Sequence, residues 1–390
     1  MNVGKYVFAQ IVQFLPKRYF ERLVSNYKDR TARMAPSYWS HMLVIMYGQL
    51  IGCHSLRELT DITVAHGKRS FHLGFGKVPI NRSVLSKANN LRSPEIFEKF
   101  AFHIVSIAQA KRITKEFELH GRFYAIDSTT IDLCMSVFKW AKFRSTKSGI
   151  KVHAQIDIAT EIPVFYRISH ANVHDTRFMD WLEHERNACY VFDRAYFDLS
   201  RLFAIEQAGA FFIIREKSHP EYEITEGEDM LEGAENVLRD QTVRFTGKRN
   251  SGNYPVPLRR IVFYAPDLGR TFTYYTNNFY LKGNEIALLY RYRWQVELFF
   301  KWIKQHLRVK SFWGESENAV RIQIHVAIIT YCLVAIIEHD LKLGRPIVEV
   351  MRILGHSLLV KDPIQELLAH GANSDYDDND CQLHLDFKSD

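Results

Sequence analysis

The feature that most constrains the fold of this 390-residue chain is a change of periodicity near residue 122. Short apolar runs of the β type recur from there onward, in RFYAIDSTTIDLC, GIKVHAQIDIAT, IPVFYRISH, CYVFDRAYF and AFFIIREK. The last two runs flank DLSRLFAIEQAG, which has the spacing of a helix that ends at Gly209. A strand, a helix and a strand in this order predict an α/β fold built on a mixed sheet.

Regions of different character flank the predicted sheet. The chain before it is mainly helical in pattern, with a capping-box start at Ser55 to Glu58. A β-rich stretch with acidic turns follows the sheet, and helical patterns then return in NEIALLYRYRWQVELFFKWIKQH and AVRIQIHVAIITYCLVAIIEHDL. We therefore expect a helical domain (1–118), a first part of the sheet core (119–217), a β-rich insertion (218–283), a second part of the core (284–340) and a C-terminal helical segment with an acidic tail (341–390).

Basic charge is concentrated at the amino end of the chain. Residues 1–120 hold 18 Lys and Arg against 8 Asp and Glu, whereas residues 361–390 hold 2 against 8. Such an excess suits a polyanionic partner, because each Lys or Arg placed near a phosphate releases condensed counterions. DNA, the ribosome and acidic lipids all fit this pattern.

A turn and two short helices are predicted within the basic region, in GFGKVPINRSVLSKANNLRSPEIFEKF. This arrangement fits a helix-turn-helix-like unit in which Arg82, Lys87 and Arg92 are available to DNA phosphates. Short basic helices are also common on protein surfaces that bind nothing. The pattern alone leaves both interpretations open.

The sequence favours neither a membrane protein nor a disulfide-rich protein. No stretch approaches 18 uninterrupted apolar residues, and the first residues lack the apolar core of a secretion signal, so we expect a cytoplasmic protein without a membrane partner. The five cysteines are scattered, with no CxxC pair. They predict neither a disulfide framework nor a structural zinc site.

Carboxylates stand at the ends of two predicted strands. Asp127 closes FYAID and Asp193 closes YVFD, while Glu297 lies on a later predicted helix. Burying an unpaired carboxylate costs several kcal/mol unless a cation meets it. Two Mg²⁺ or Mn²⁺ ions would neutralise all three acids and would suit chemistry on phosphodiesters. On pattern alone the choice stays open, because other acids in the region are equally plausible, namely Asp132, Asp157 and Asp175.

The stretch YRYRWQVELFFKWIKQH, from Tyr290 to His306, is predicted to form a single helix with two stripes. At about 100° per residue, one polar stripe holds Tyr290, Arg293, Glu297 and Lys304. The apolar stripe beside it holds Val296, Phe300, Ile303 and Leu307. A solvent-exposed helix face with internal salt bridges is the simpler interpretation of the polar stripe.

Three motifs together resemble a known enzyme family. They are DST at Asp127–Thr129, DRAY at Asp193–Tyr196 and Tyr290-x2-Arg293-x3-Glu297-x6-Lys304. They resemble the DDE transposases of bacterial insertion sequences, specifically family number four with its Tyr-Arg-Glu-Lys signature. The likeness covers roughly residues 120–335.

The resemblance implies a ribonuclease H-like catalytic core interrupted by a β-rich insertion and preceded by a helical DNA-binding domain. Asp127, Asp193 and Glu297 would be the catalytic acids and would hold two Mg²⁺ or Mn²⁺ ions. The implied activity is cut-and-paste transposition through a DNA hairpin, by a homodimer that pairs double-stranded transposon ends and target DNA. Such a protein would act in the cytoplasm, on the bacterial nucleoid.

DNA-binding roles are expected for five accessory residues, each with an alternative. Tyr290, Arg293 and Lys304 are predicted to bind phosphates, with a salt bridge to Glu297 as the alternative for the bases. Trp294 is predicted to stack on a displaced base, although a tryptophan near other aromatics is more often in a core. Arg194 either contacts a phosphate or is a charge partner of the adjacent Asp193.

Other classes of function stay open at this point. A nuclease of the same fold would cut DNA without joining it, and a non-catalytic DNA-binding protein would act as a repressor. A purely structural or ribosomal role fits the basic amino end but leaves the three acids unexplained.

Overall fold

A computed structural model of the chain describes residues 4–27, 31, 35–112, 121–144, 147–216, 220–229, 236–307 and 312–369. The predicted acidic tail, and Cys381 within it, lie outside the described residues. The side chain of Leu307, predicted to belong to the apolar stripe, lies outside them as well.

Seven helices come first in the described part of the chain, where the sequence predicts a mainly helical pattern. They are α1 (Val7–Val12), α2 (Lys17–Asn26), α3 (Tyr38–Leu50), α4 (Leu56–Ala65), α5 (Arg69–His72), α6 (Arg82–Leu91) and α7 (Pro94–Lys111). Ser55 caps α4 as predicted, since its hydroxyl accepts a hydrogen bond from the backbone N–H of Glu58 at 3.1 Å. The second helix of the predicted helix-turn-helix-like unit is not short, because α7 has 18 residues.

The described residues then form a mixed sheet of ten strands. The strands are β1 (Arg122–Leu133), β2 (Lys142–Arg144), β3 (Lys147–Asp157), β4 (Ile162–His170), β5 (Ala188–Phe192), β6 (Phe211–Arg215), β7 (Tyr222–Asp229), β8 (Val237–Phe245), β9 (Leu258–Ala265) and β10 (Arg270–Thr276). Their order is β2-β3-β1-β5-β6-β10-β9-β8-β7, with β4 also paired to β3. Strands β1, β3 and β4 are antiparallel, whereas β5 and β6 run parallel to β1. This is the predicted mixed α/β fold, with a large mixed sheet that follows a helical region.

Strands β7 to β10 lie between residues 222 and 276, and their pairing was not predicted. Strand β10 pairs with β6, and β9, β8 and β7 follow in turn. The region therefore extends the core sheet, because its strands satisfy their backbone hydrogen bonds at the open edge of β6. A short helix, α9 (Lys248–Asn253), connects β8 to β9.

Helices cover the sheet and complete the fold. They are α8 (Leu199–Gln207), α10 (Gly283–Tyr292), α11 (Trp294–Leu307), α12 (Glu317–Asp340), α13 (Ile347–Ser357) and α14 (Ile364–Ala369). The single helix predicted from Tyr290 to His306 is wrong in one respect, because it divides at Arg293. There the backbone keeps a helical conformation, but its hydrogen bonds join residues three apart instead of four. They run from Arg293 N to Tyr290 O and from Val296 N to Arg293 O.

Helix α12 is the centre of the core. By length and composition it could cross a membrane, but 94% of its most apolar window is buried inside the protein. It packs against α3, α6, α7 and α13 of the helical regions and against α11. The helical amino-terminal region and the sheet core thus share one continuous apolar cluster.

Candidate active site

Two carboxylates meet at the carboxyl edge of the parallel strands. In the parallel pairing of β1 with β5, Ile126 lies opposite Phe192. Asp127 is the next residue of β1 and Asp193 comes directly after β5, so their backbones are neighbours at about 5 Å spacing. The prediction that Asp127 closes its strand is wrong, because β1 continues to Leu133 in its pairing with β3. The apolar runs that precede these acids are buried in the sheet and bring both to the same place.

Helix α11 brings Glu297 to this edge. The helix packs on β1 and β3 through a buried face of Val296, Phe299, Phe300, Trp302 and Ile303. This face includes the three described members of the predicted apolar stripe and is wider, because two further aromatics join it. The Glu297 side chain is 46% exposed and points away from the core. The apolar face thus anchors the helix while its polar stripe faces the aspartates.

Arg293 lies between two of the acids. Its Nη1 atom is 3.3 Å from Oδ2 of Asp127, and its Nη2 atom donates to Oε1 of Glu297. The Arg293 side chain is only 14% exposed, so its charge acts at short range with little screening by water. The predicted salt bridge between Arg293 and Glu297 is therefore present in the structure, and it extends to Asp127.

Tyr290 connects the third acid, Asp193, to Arg293. Its hydroxyl donates to Oδ1 of Asp193 over 3.4 Å, and the Arg293 guanidinium lies 5.7 Å from its ring centre. Burial, opposed by Arg293 and reinforced by Asp193, raises the pKa of Tyr290 to about 12. Tyr290 consequently stays a neutral hydrogen-bond donor at physiological pH.

The acids influence one another's charge. Burial raises the pKa of Asp127 to about 6, while Arg293 and the backbone N–H of Ser128 lower it and Asp193 and Glu297 raise it. Mutual repulsion among carboxylates of this kind is relieved by a cation. The three predicted acids thus form one electrostatic unit.

A cleft of about 400 Å³ opens beside this unit. It is lined by Asp127, Ser128, Thr129, Glu297, Phe300, Lys301, Lys304 and Gln305. Lys304 is exposed, and no ion pair joins it to Glu297 in the part of the chain that the structure describes. The cleft therefore combines carboxylates at its inner end with ammonium groups along its wall, and Lys301 is a basic residue that we did not predict.

The chemistry of the donors fits hard divalent cations. Carboxylate oxygens are the protein ligands that Mg²⁺ and Mn²⁺ prefer. Among the described residues, no three His, Cys, Asp or Glu side chains already form a compact metal-binding group. The guanidinium of Arg293 supplies the positive charge between Asp127 and Glu297, so a cation bound there would take over that role.

The remaining predicted residues lie around the unit. Trp294 is 45% exposed, so it is not the core residue that its aromatic neighbours suggested. Arg194 is also exposed, and within the described ranges no ion pair joins it to Asp193. Of the alternative acids, Asp157 accepts backbone hydrogen bonds from Ala159 and Thr160 at the turn after β3, and Asp132 is exposed farther along β1.

A polar cluster behind Asp127 was not predicted from the sequence. Asp175 accepts hydrogen bonds from Ser128 Oγ at 2.5 Å and from Lys151 Nζ at 2.8 Å. Tyr196 is fully buried nearby, and burial followed by the charges of Asp127 and Asp175 raises its pKa well above the usual value. Little in the sequence indicated this cluster, because Lys151, His153 and Gln155 alternate with apolar residues, as expected of a half-exposed strand.

Comparison with known proteins agrees with this geometry. Residues 118–333, more than half of the chain, match the family model described as the transposase DDE domain, and residues 3–76 match a domain of unknown function, DUF4372. A putative transposase, y4zB, of Sinorhizobium fredii is 35% identical over 271 residues, covering 67% of this chain and 73% of its own. A probable transposase of insertion sequence element IS5377 from Geobacillus stearothermophilus is 27% identical, with coverages of 72% and 75%.

Among solved structures, the piggyBac transposase synaptic complex with hairpin DNA aligns over 94% of this chain and 80% of its own. Its TM-score is 0.44 at 11% identity. The chain belongs to the DDE transposases of bacterial insertion sequences, a family of nuclease-type enzymes that act on DNA.

Proposed function

We propose that this chain excises an insertion sequence and joins it to target DNA by cut-and-paste transposition. The observation that supports the proposal is the coupling of Asp127, Asp193 and Glu297 at one sheet edge, beside a cleft with a basic wall. The spacing from Tyr290 to Lys304 further supports membership of family number four. One acidic site would serve each successive step on the DNA.

The proposed order of steps needs only one geometry for attack on a phosphodiester. Water first cleaves one strand at the transposon end, and the freed 3′-hydroxyl attacks the opposite strand to form a hairpin. A second hydrolysis reopens the hairpin, and the same 3′-hydroxyl then attacks target DNA. Each step exchanges one phosphodiester oxygen for another, so no oxidant or other cofactor is consumed.

In this proposal the three acids hold two Mg²⁺ or Mn²⁺ ions. Bound there, the ions would activate the attacking oxygen and stabilise the leaving oxygen. Asp127 and Asp193 are suited to this because their strands fix them, whereas Glu297 approaches from the packed helix α11. Tyr290 would orient Asp193 through its hydroxyl.

Arg293 and Lys304 would bind the DNA backbone. In the structure the Arg293 guanidinium pairs with Asp127 and Glu297, which are the two acids that line the cleft. A guanidinium pairs equally well with a phosphate as with a carboxylate. The exposed Trp294 would stack on a base beside the cut, and Arg194 would contact a phosphate near Asp193. We further propose that two copies act together on paired ends.

The first prediction concerns the acids. Asp127→Ala, Asp193→Ala and Glu297→Ala should each lower strand cleavage by roughly three orders of magnitude or more, because the bound ions supply several kcal/mol. Binding of end DNA should survive. Gel analysis of nicked, hairpin and joined products checks this, with the exposed Asp132→Ala as the control. Full cleavage by any one acid variant would remove that residue from the site, and nicks without joined products from the parent would indicate a nuclease.

The second prediction concerns pH. The pKa of Asp127 is about 6 in the folded protein against an ordinary 3.8, so the native state holds this proton more tightly than the unfolded state. Ionising Asp127 therefore costs stability as pH rises from about 4 through 6, up to about 3 kcal/mol. Without divalent metal at pH 8, Asp127→Asn should raise the free energy of unfolding by about 1–3 kcal/mol, and the gain should vanish near pH 4.

Urea unfolding in a chelating buffer at the two pH values checks this difference. Asp132→Asn on the same strand is the matched control, since that side chain is exposed. Addition of Mg²⁺ should stabilise the parent more than Asp127→Asn, because the variant lacks one anionic ligand. An Asp127→Asn protein that is no more stable than the parent at pH 8 would contradict the raised pKa of Asp127, of which burial is the main cause.

The third prediction distinguishes two proposed roles of the region from Arg293 to Lys304, which are binding of DNA phosphates and binding of metal ions. Arg293→Ala and Lys304→Ala should each weaken binding of end DNA and reduce the slope of log affinity against log salt by about 1, because one phosphate contact is lost. Metal binding should be retained, and for Arg293→Ala it should be tighter, because a competing cation is removed. Glu297→Gln should bind DNA at least as well as the parent but bind Mg²⁺ more weakly.

Gel shifts across a salt series and calorimetry with Mg²⁺ measure both properties for the three variants. Equal losses in both assays for all three would mean that the polar stripe is only a salt-bridged helix face.

A further inference from the structure

A network of polar side chains lies on the face of the sheet opposite helix α11. Successive side chains of a strand point to opposite faces, so Asp127 faces Arg293 while Ser128, the next residue of β1, points away from it. On that second face Ser128 Oγ donates a hydrogen bond to Oδ1 of Asp175 at 2.5 Å. Lys151 Nζ donates to the same oxygen at 2.8 Å. We call Ser128, Lys151 and Asp175 the rear network.

Lys151 fixes the position of Asp175. Asp175 begins a short 3₁₀ helix, Asp175–Trp181, in the connection between β4 and β5. Lys151 lies on β3 and donates to the backbone carbonyl of Val173 at 2.8 Å as well as to Asp175. Only 10% of its side chain is exposed, so water screens the ion pair weakly. One ammonium group thus attaches the connection to the sheet at two points.

Ser128 connects the rear network to Asp127. Its backbone N–H donates to Oδ1 of Asp127 at 2.7 Å, while its hydroxyl is held by Asp175. The other carboxylate oxygen of Asp127, Oδ2, lies 3.3 Å from Arg293. One oxygen of Asp127 is therefore oriented from the rear face of the sheet and the other from the side of helix α11.

The rear network also borders the turn that follows the second acid. Asp193 is followed by a 3₁₀ helix, Arg194–Tyr196, which packs against the one that Asp175 begins. Tyr196 is fully buried in the apolar cluster on this face, together with Phe178. A displacement of Asp175 would consequently disturb the supports of both aspartates.

Asp175 is better placed to support a ligand than to be one. The ions of the proposed site would lie on the α11 side of β1, whereas Oδ1 of Asp175 accepts its two hydrogen bonds on the opposite side. An ion pair that only stabilised the fold would not need Ser128, whose backbone N–H holds Asp127. The geometry thus connects Lys151 to the proposed metal-binding carboxylate through two intermediate residues.

We propose that Lys151, Asp175 and Ser128 are positioning residues that hold the Asp127 carboxylate in the orientation that Mg²⁺ requires. This rests on the metal-dependent function proposed above. Hydrogen-bond partners of a ligating side chain contribute about 10- to 100-fold to metal affinity or activity. Mg²⁺ demands near-ideal octahedral geometry, whereas Ca²⁺ accepts flexible geometry. Loss of the rear network should therefore weaken Mg²⁺ binding more than Ca²⁺ binding.

The test measures Mg²⁺ and Ca²⁺ binding to the full chain by calorimetry without DNA. Asp175→Asn and Lys151→Met should each weaken Mg²⁺ binding about tenfold or more. Their Ca²⁺ binding should stay within about threefold of the parent, because Asp127 is still present. Ser128→Ala should act in the same direction, and Ser128→Thr, which keeps the hydroxyl, should bind Mg²⁺ like the parent. The double variant Ser128→Ala/Asp175→Asn should be no weaker than Asp175→Asn, since both changes break one path.

A matched ion pair elsewhere in the sheet controls for general loss of stability. Asp240 on β8 pairs with Arg259 on β9, and their side chains are 22% and 12% exposed. Asp240→Asn should lower the free energy of unfolding, measured in urea, as Asp175→Asn does. It should leave Mg²⁺ binding within about twofold of the parent, because this pair does not contact the rear network.

Strand cleavage gives a second measurement. Asp175→Asn should lower kcat about tenfold, with KM for end DNA within about twofold of the parent, because the DNA-binding residues are unchanged. Excess Mg²⁺ should recover part of this loss. The same excess should not recover cleavage by Asp127→Ala, which lacks the ligand itself.

Mg²⁺ binding equal to the parent in Asp175→Asn and Ser128→Ala would overturn the proposal. If Asp175→Asn does not fold, Ser128→Ala decides the question, because it removes a single hydroxyl. Loss of Mg²⁺ and Ca²⁺ binding together, as complete as in Asp127→Ala, would make Asp175 a ligand instead, and an equal loss in Asp240→Asn would assign the effect to stability.

Failure of this inference differs from failure of the proposed function. If Asp127→Ala itself binds Mg²⁺ like the parent, the proposed metal site is wrong. If Asp127→Ala loses Mg²⁺ binding while the rear-network variants keep it, the metal site stands and only the positioning role is wrong.

Discussion

The parallel pairing of β1 with β5 is the constraint on which the rest of the site depends. It places Asp127, in the middle of β1, beside Asp193, which comes directly after β5. The third acid then comes from a helix that must pack closely on β1 and β3. Once three carboxylates are held this near, a positive group between them becomes a requirement for stability.

Arg293 meets that requirement in the structure, and its position explains why bases and an acid share one helix stripe. Its contacts to Asp127 and Glu297 keep the site assembled. The same guanidinium can pair with a phosphate, so arrival of divalent cations and DNA would exchange one set of partners for another. The break between α10 and α11 falls at this residue, which lies between Tyr290 and Glu297 in the chain.

Local patterns in the sequence were sufficient to predict the strands, the helices and the residues that carry the three acids. A charged residue that closes an apolar run, such as Asp193, predicts a functional strand end, and helical spacing placed Glu297 correctly on a packed helix. Pairing between distant segments was not predictable. The edge of β6 that receives β10, and the bond from Lys151 to Asp175, join residues far apart in sequence. The prediction that Arg92 is available to a DNA phosphate was wrong, because it assumed that this arginine is exposed. Two backbone carbonyls and the ring of Tyr38 stabilise its side chain inside the protein.

The most direct test of the account is a crystal structure with end DNA and Mn²⁺, with the metal located by anomalous scattering. The account predicts two Mn²⁺ peaks bound by Asp127, Asp193 and Glu297, with Arg293 moved from these acids to a DNA phosphate. Arg293 still bridging Asp127 and Glu297 in the DNA complex, with Mn²⁺ bound elsewhere, would contradict it.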